Sequence, residues 1–239
     1  MKKLLGILLF FLVMGVGCSN NEPAIVKVDI NPDEANEEPE LIEEIIEDEI
    51  VDEFIEFTVD DEVIRVNLKQ IPILKAYLQG VEEPKTVIEK MKIEKLFNKD
   101  NNEIYLLQFS CQQDQCSYLL LDQSSDNTGH LVADLASFED FIISPEESKM
   151  LLKFNRPSNQ EYPLSNIVVI DLVDWSVLTL ENEEIINNLF DYNWPILNAS
   201  WVDDETIAIS VPDSIPINSE QVEDGNEELN EVLFHIKGN

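Results

Sequence analysis

Cysteine and histidine are the residue types in this chain that could bind zinc or serve as a thiol nucleophile and its base. The 239 residues include three cysteines and two histidines. Cys111 and Cys116 bracket the polar loop QQDQ between two predicted strands, a position that suits a disulfide if the protein is exported. Zinc would need four ligands, and His130 and His235 lie far away in sequence without ligand spacing. We therefore predict a disulfide, with two reduced thiols as the alternative.

Other patterns that carry chemistry are absent from the sequence. No G-x-S-x-G motif occurs, and the seven glycines are too scattered to form a phosphate-binding loop. A catalytic thiol needs a base and a positive environment, which the residues around the cysteines do not provide. The acidic pairs Asp60-Asp61 and Asp203-Asp204 lack the pattern of a calcium loop and are typical of solvated turns. We predict no catalytic residue, no cofactor and no metal, and hence a protein that is not an enzyme.

The charge of the chain restricts its partners. Forty-nine acidic residues face fifteen basic ones, for a formal net charge of −34 at pH 7. Such a charge repels phosphate backbones and anionic lipid headgroups. Nucleic acid is therefore excluded as a predicted partner, and a protein partner of unknown identity is expected instead.

The first residues are typical of an export signal. Lys2 and Lys3 precede an apolar run from Leu4 to Val16, which is too short to span a bilayer comfortably. The run ends in GVGC, which resembles the signal of bacterial lipoproteins. That resemblance implies that residues 1–17 are removed, that Cys18 is diacylated, and that the mature protein is anchored on the extracytoplasmic face of the cell membrane. An uncleaved anchor and an ordinary secretory signal are the alternatives.

A strongly acidic segment follows the signal. Residues 19–62 contain eighteen acidic residues and one basic residue, Lys27. Its first part reads as a flexible tether. In ELIEEIIEDEIVDEFIEF, apolar residues recur every fourth position from Ile42 to Phe54, which predicts an acidic helix with one apolar stripe. We assign residues 18–58 to a tether with a possible helix, whose stripe docks on the protein's own domain, frays, or binds a partner's groove.

Residues 59–239 are predicted to form a β-rich domain. VIRVNL at 63–68 alternates as a half-buried strand does, and IPILKAYLQG is bounded by Pro72 and Gly80 as a short helix is. PKTVIEKMKIEKL is predicted as a second helix, or as a helix followed by a strand. Three segments then align, each a polar turn followed by an apolar strand: KDNNEIYLLQF, PEESKMLLKF and VDDETIAIS. Their spacings of about 46 and 57 residues are close to the period of propeller blades.

The middle copy, ISPEESKMLLKF…SNIVVIDLVDWSVLTL, resembles a blade of the TolB-like and WD-repeat β-propellers. Ser144, Pro145 and Glu146 match the first three positions of the family's S-P-D-G turn, and Glu147 replaces the glycine. The resemblance implies a mainly β fold with antiparallel, propeller-like blades. Three blades do not close a ring that needs at least four, so we expect a partial or open propeller. The third copy lacks its own outer strand, for which the strand at 63–68 is a candidate.

The hairpin over residues 141–154 gives the sharpest structural expectation. Ile143, Leu151 and Phe154 are predicted to lie inside and Met150 and Leu152 on the opposite face, which stacked blades would also cover. Glu147 is expected at a turn position with positive φ, because the family has glycine there.

Candidate contact residues lie in two other places. Tyr192 and Trp194 are either core aromatics or an exposed rim that contacts a partner. Glu223 and Asp224 belong to an acidic insertion that suits a cationic partner. The predicted function is a membrane-anchored, non-catalytic binding module. The alternatives are an accessory subunit that completes its sheet with a partner protein, and a cell-envelope hydrolase whose catalytic residues are not apparent.

Overall fold

A computed structural model describes residues 24–28, 53–99, 102–123, 129–159, 161–182, 189–212 and 229–237. This part of the chain is mainly β, its sheets are antiparallel, and none of them closes into a barrel. Two short helices, α1 (Pro72–Gln79) and α2 (Pro84–Ile88), lie between the early strands. The strands are β1 (Ile25–Val28), β2 (Phe54–Val59), β3 (Glu62–Asn67), β4 (Lys92–Lys99), β5 (Asn102–Gln112), β6 (Gln115–Asp122), β7 (His130–Ile143), β8 (Lys149–Arg156), β9 (Leu164–Asp171), β10 (Ser176–Leu178), β11 (Leu180–Glu181), β12 (Asn198–Trp201), β13 (Thr206–Pro212) and β14 (Leu229–Ile236).

The strands form three sheets. The first sheet has the order β1-β3-β2, the middle sheet has seven strands in the order β10-β9-β8-β7-β6-β5-β4, and the last sheet has the order β11-β14-β13-β12. Every neighbouring pair is antiparallel. The predicted antiparallel β fold is therefore confirmed.

The long strand β7 divides the middle sheet into two halves. Its residues 130–136 pair with β6 and its residues 137–143 pair with β8. Leu135, at the junction, has a positive φ of 46°, and the register shifts between β6 and β7. Such irregularities bend a strand and allow it to pass from one sheet to another. The two halves of the middle sheet can therefore stack against each other.

All three predicted hairpins are present. They are β4–β5, β7–β8 and β12–β13, and each is followed by the next predicted strand, β6, β9 or β14. The last sheet takes its outer strand from β11, which pairs with β14. The prediction that residues 63–68 supply this strand is wrong, because β3 is paired on both sides by β1 and β2.

Three apolar clusters fill the spaces between the sheets. The first lies between the first sheet, α1 and one face of β5 and β6, the second between the two halves of the middle sheet, and the third between β8, β9 and the last sheet. Strands β5, β6 and β8 are thus covered on both faces, which explains their continuous apolar runs.

The central hairpin follows the prediction with two exceptions. Leu151 belongs to the third cluster, whereas Met150 and Leu152 belong to the second. Phe154 also lies in the second cluster. Ile143 packs against the second cluster too. The prediction that Phe154 and Ile143 share the face of Leu151 is wrong, because residue 154 has the parity of 152 along β8 and Ile143 pairs directly with Met150 across the hairpin.

Side chains at the turn between β7 and β8 link it to the last sheet. The Ser144 hydroxyl accepts the backbone N–H groups of Ser148 and Lys149 at 3.2 and 3.1 Å. The N–H of Glu146 donates to the Asp204 carboxylate at 3.1 Å. Glu147 has a φ of 55°, the positive value expected for the position that holds glycine in the propeller turn. The Ser-Pro-Glu-Glu turn thus packs against the Asp203-Asp204 turn.

The greatest departure from the sequence prediction concerns the segment assigned to the tether. Strand β1 and all of β2 except Val59 fall within residues 18–58, and both strands pair with β3. Phe54 and Ile55, predicted on a helix, are strand residues. Side chains alternate along FIEFTV, so that Ile55, Phe57 and Val59 point to the same face and pack in the first cluster. Residues 40–52 of the predicted helix lie outside the described residues. The start of α1 at Pro72 is as predicted. For PKTVIEKMKIEKL the structure has the alternative of a helix followed by a strand, α2 and β4, and not a single second helix.

Candidate functional site

The predicted contact residues Tyr192 and Trp194 lie in one loop that is tied to β9. The N–H of Ser165 donates to the carbonyl of Trp194 at 2.8 Å, and the N–H of Tyr192 donates to the carbonyl of Ser165 at 3.1 Å. The two rings diverge, because Tyr192 packs against the second cluster and Trp194 against the third. Both are half-buried, so they support the fold and also present an edge to solvent. Glu223 and Asp224 lie outside the described residues.

Arg156 accompanies Tyr192 and was not identified from the sequence. Its guanidinium lies 3.8 Å from the centre of the Tyr192 ring, within the range of a cation–π contact. It also donates to the carbonyls of Asp134 and Leu135 at 2.6 and 3.0 Å. Burial raises the pKa of the Tyr192 hydroxyl above its ordinary value. Arg156 therefore connects the bend of β7 with the aromatic loop.

A cleft opens between β2 and the β4–β5 hairpin. Its volume is about 550 Å³, a size typical of small-molecule sites. Residues of the three strands and the preceding turn line it: Phe57, Thr58, Met91, Lys92, Ile93, Glu94, Leu106 and Gln108. Glu94 is open to solvent on one side, but the walls remove part of its hydration and raise its pKa. The cleft thus combines apolar walls with one carboxyl group, Glu94, one ammonium group, Lys92, and one side-chain amide, Gln108.

Gln108 also connects this cleft with the cysteine pair. In the structure, Cys111 and Cys116 are joined by a disulfide, with their Cα atoms 4.0 Å apart. They face each other across the β5–β6 hairpin, whose tip pairs Gln112 with Gln115. The Gln108 side-chain amide donates to the sulfurs of Cys111 and Cys116 at 3.2 and 3.0 Å. The disulfide thus spans the end of the hairpin at the rim of the cleft.

The two histidines lie on different sheets, and each is within hydrogen-bond distance of a group of the fold. The Nε2 atom of His130 lies 2.7 Å from the carbonyl of Trp175. The Nδ1 atom of His235 lies 3.2 Å from the hydroxyl of Thr206. Within the ranges that the structure describes, no three His, Cys, Asp or Glu side chains are grouped to hold a metal ion.

A buried carboxylate marks the place where the N-terminal strand meets the domain. Glu103 is only 5% exposed and accepts a hydrogen bond from the Tyr105 hydroxyl at 2.5 Å. The Lys27 ammonium, on β1, lies 2.7 Å from both Glu103 and Glu62. Lys95 contributes a further positive charge 3.5 Å from Glu103. The single basic residue of the acidic segment is therefore the one that joins β1 to the core.

The charges around Glu103 determine its protonation. Burial by itself would raise the pKa of this carboxyl, but the hydrogen bonds from Lys27 and Tyr105 and the nearby lysine charges lower it below its ordinary value. The hydrogen bonds to Glu103 and Glu62 raise the pKa of Lys27. Both shifts favour the ionised forms at neutral pH, and the two opposite charges compensate each other.

Substitution of Glu103 with Gln should reveal this pair in the pH dependence of stability. At neutral pH we expect a loss of about 1–2 kcal/mol, because hydrogen bonds to a charged acceptor become neutral ones. A carboxyl with a lowered pKa stabilises the fold above its ordinary pKa of 4.5 and loses that effect as pH falls through its folded value. The difference in unfolding free energy between parent and variant, measured by urea denaturation, should therefore shrink below about pH 4.5.

Glu94→Gln is the control for this experiment. The pKa of Glu94 is raised by burial, so its ionised form destabilises the fold and its replacement should be neutral or slightly stabilising at neutral pH. Equal pH dependence of the parent and Glu103→Gln would contradict the assignment of Glu103 as a stabilising carboxylate.

Comparisons with protein-family models, with curated proteins and with solved structures find no match to this chain. Among the residues that the structure describes, no helix has the length and apolar character needed to cross a membrane. The fold and the surfaces described above are therefore the basis for assigning a function.

Proposed function

We propose that this protein is a lipoprotein, anchored by Cys18 on the extracytoplasmic face of the cell membrane, that acts as a non-catalytic binding module. The observation that carries the proposal is the position of Cys18, directly after small residues at the end of a basic and apolar leader. Two acyl chains on one cysteine are enough for stable attachment. A disulfide at Cys111 and Cys116 is consistent with an oxidising location.

The stacked sheets support a propeller-like arrangement of this module. The two halves of the middle sheet and the last sheet each contain a hairpin, a following strand and an outer strand, which is the first half of β7, β10 or β11. We infer that these are three blades of an open propeller. The cleft beside Glu94 and the loop of Tyr192 and Trp194 are the surfaces at which a ligand or partner binds.

The alternative of an accessory subunit, which completes its sheet with a partner protein, is favoured by one observation. The last sheet buries Ile207, Ile209 and Phe234 on the face that it turns to the middle sheet. On its opposite face Leu233 is 45% exposed. A blade from another chain would cover this face in a closed ring.

Replacement of Cys18 with Ser tests the anchor. The variant should lose incorporation of labelled fatty acid and move from the membrane fraction to the soluble extracytoplasmic fraction, because serine cannot form the thioether to the diacylglycerol. Metabolic labelling and fractionation of cells measure both effects. A Cys18→Ser protein that remains in the membrane fraction, unlabelled like its parent, would show that the leader is an uncleaved anchor.

Cross-linking in cells separates the two functional candidates. With the lipidated parent, a stoichiometric protein partner whose yield falls for Leu233→Glu supports the accessory subunit. A partner or ligand whose recovery depends on Trp194 and not on Leu233 supports the binding module. Trp194→Phe keeps the ring that packs on the third cluster and removes the indole N–H, so it is the appropriate variant for this comparison.

A further inference from the structure

The cleft beside Glu94 lies where two sheets leave an edge open. Strand β2 is the last strand in the order of the first sheet, and β4 is the last strand in the order of the middle sheet. In the described part of the chain, β2 pairs only with β3, and β4 pairs only with β5. Residues of both edges line the cleft, whose volume is about 550 Å³. A small molecule can therefore enter it from solvent beside the free edge of β4.

One side of this cleft is polar, and the pairing of β4 with β5 shows why. Lys92 lies directly opposite Gln108, and Glu94 follows two residues later on β4. Side chains alternate along a strand, and directly opposite residues share a face, so all three side chains project from one face of the hairpin. The Cα atoms of Lys92 and Glu94 are thus about 7 Å apart. The cleft presents one positive and one negative group at a defined backbone spacing.

These two charges have no partner in the protein itself. The ion pairs among the described residues involve neither Lys92 nor Glu94. Burial is what raises the pKa of Glu94, and no cation of the described residues offsets it. The amide nitrogen of Gln108 donates to the sulfurs of Cys111 and Cys116, which leaves the amide carbonyl oxygen as the acceptor that it can offer to a ligand.

The rest of the lining is apolar. Phe57 belongs to β2, Met91 directly precedes β4, and Ile93 projects from the face of β4 opposite to Lys92 and Glu94. The three apolar side chains pack in or against the first cluster, so the fold holds them in place without a ligand. The cleft therefore curves around the edge of β4, with charges on one side and apolar groups on the other. Apolar walls with a few polar groups are typical of sites for small molecules.

We propose that this cleft binds a small zwitterion, an apolar amino acid or a short apolar peptide, whose ammonium group contacts Glu94 and Gln108 and whose carboxylate pairs with Lys92. The inference rests on the proposed role of the cleft as a binding surface. The apolar part of the ligand contacts Phe57 and Ile93. A ligand without net charge is also compatible with the formal charge of −34, which repels anions over a long range.

Isothermal titration calorimetry of the full-length protein tests the assignment, with L-phenylalanine and L-leucyl-L-phenylalanine as probes. We expect saturable binding, and the probe that binds more tightly distinguishes a free amino acid from a peptide. Glu94→Gln and Lys92→Gln should each weaken binding about tenfold or more, because a hydrogen bond between charged groups is lost. Glu205→Gln is the matched control, since it removes an exposed carboxylate at the turn between β12 and β13, and it should leave the affinity unchanged. Thermal melts check that all three variants are folded.

Removal of one charge from the ligand separates the two contacts. Phenylalaninamide lacks the carboxylate, so its affinity should fall with Glu94→Gln and not with Lys92→Gln. Hydrocinnamate lacks the ammonium group and should show the reverse pattern. A substitution that acts only through the structure of the cleft would weaken all probes alike, and that result would contradict the assignment of the two charges.

The remaining outcomes separate this inference from the proposed anchor. Absence of saturable binding of both zwitterions to the parent would overturn the ligand class, and acyl labelling at Cys18 would still measure the anchor independently. Binding that persists in a variant with both Glu94→Gln and Lys92→Gln would place the site elsewhere and overturn the inference. Charge-dependent binding in a protein without acyl label would overturn the anchor and support the site.

Discussion

Leu151→Ala should destabilise the protein by about 2–5 kcal/mol. Leu151 is only 1% exposed and packs in the third cluster, between β8 and the last sheet. Truncation removes its buried methyl groups and leaves a cavity that neighbouring strands on both sides prevent from collapsing. In a chain of this size the melting temperature should fall by roughly 5–15 °C. Differential scanning calorimetry, with urea denaturation as a second probe, measures the effect.

Val202→Ala is the control for Leu151→Ala. Val202 is 57% exposed at the turn between β12 and β13, so its truncation should change stability by less than about 0.5 kcal/mol. A Leu151→Ala protein that melts with the parent would mean that the second face of β8 is exposed. The stacking of the last sheet on the middle sheet would then be incorrect.

Ile25→Ala should also cost about 2–5 kcal/mol. A tether residue would show no such effect, because flexible segments bury little apolar surface. In the structure Ile25 is 1% exposed and pairs across β1 and β3 with Val66. The loss should appear in the global unfolding transition if β1 is part of the same cooperative unit.

Val26→Ala provides a matched control on the same strand. Val26 is 41% exposed, because successive side chains on β1 point to opposite faces of the first sheet. Its truncation should be nearly neutral. Equal and small effects of Ile25→Ala and Val26→Ala would return residues 24–28 to the tether.

The hairpins of the domain could be predicted because their signals are local. A polar turn followed by an apolar run is enough to position β8 after the Ser144–Ser148 turn, and Pro72 and Gly80 bound α1 in the same way. The apolar run MLLKF even indicates that both faces of β8 are covered. The disulfide could be predicted for the same reason, since Cys111 and Cys116 flank one hairpin tip.

Strands β1 and β2 were missed because their stability is not local. Strand β1 has four residues in an acidic segment, and its neighbours Val66 and Glu103 come from later in the chain. The apolar residues at 54–59 fit a period of two as well as the four-residue period that extends from Ile42. Sequence periodicity alone cannot decide between a helix and a strand there, and pairing with β3 does.

The candidate surfaces divide in the same way. Tyr192 and Trp194 could be selected by residue type, but their divergence onto two clusters depends on the loop's hydrogen bonds to Ser165. Arg156 meets Tyr192 from a strand that is distant in sequence. The cleft beside Glu94 likewise combines residues of β2 with residues of the later strands β4 and β5. No spacing rule in the sequence identifies such sets.

The sequence by itself determined the acidic excess and the turns and strands of the three hairpins, because composition needs no structure and each turn or strand depends on residues within a short window. Only the tertiary structure decided that β1 and β2 join β3, that β11 completes the last sheet, and that α1 packs with β1 in the first cluster. These features depend on which distant faces bury each other and on the register in which strands pair, and burial is a property of the assembled domain.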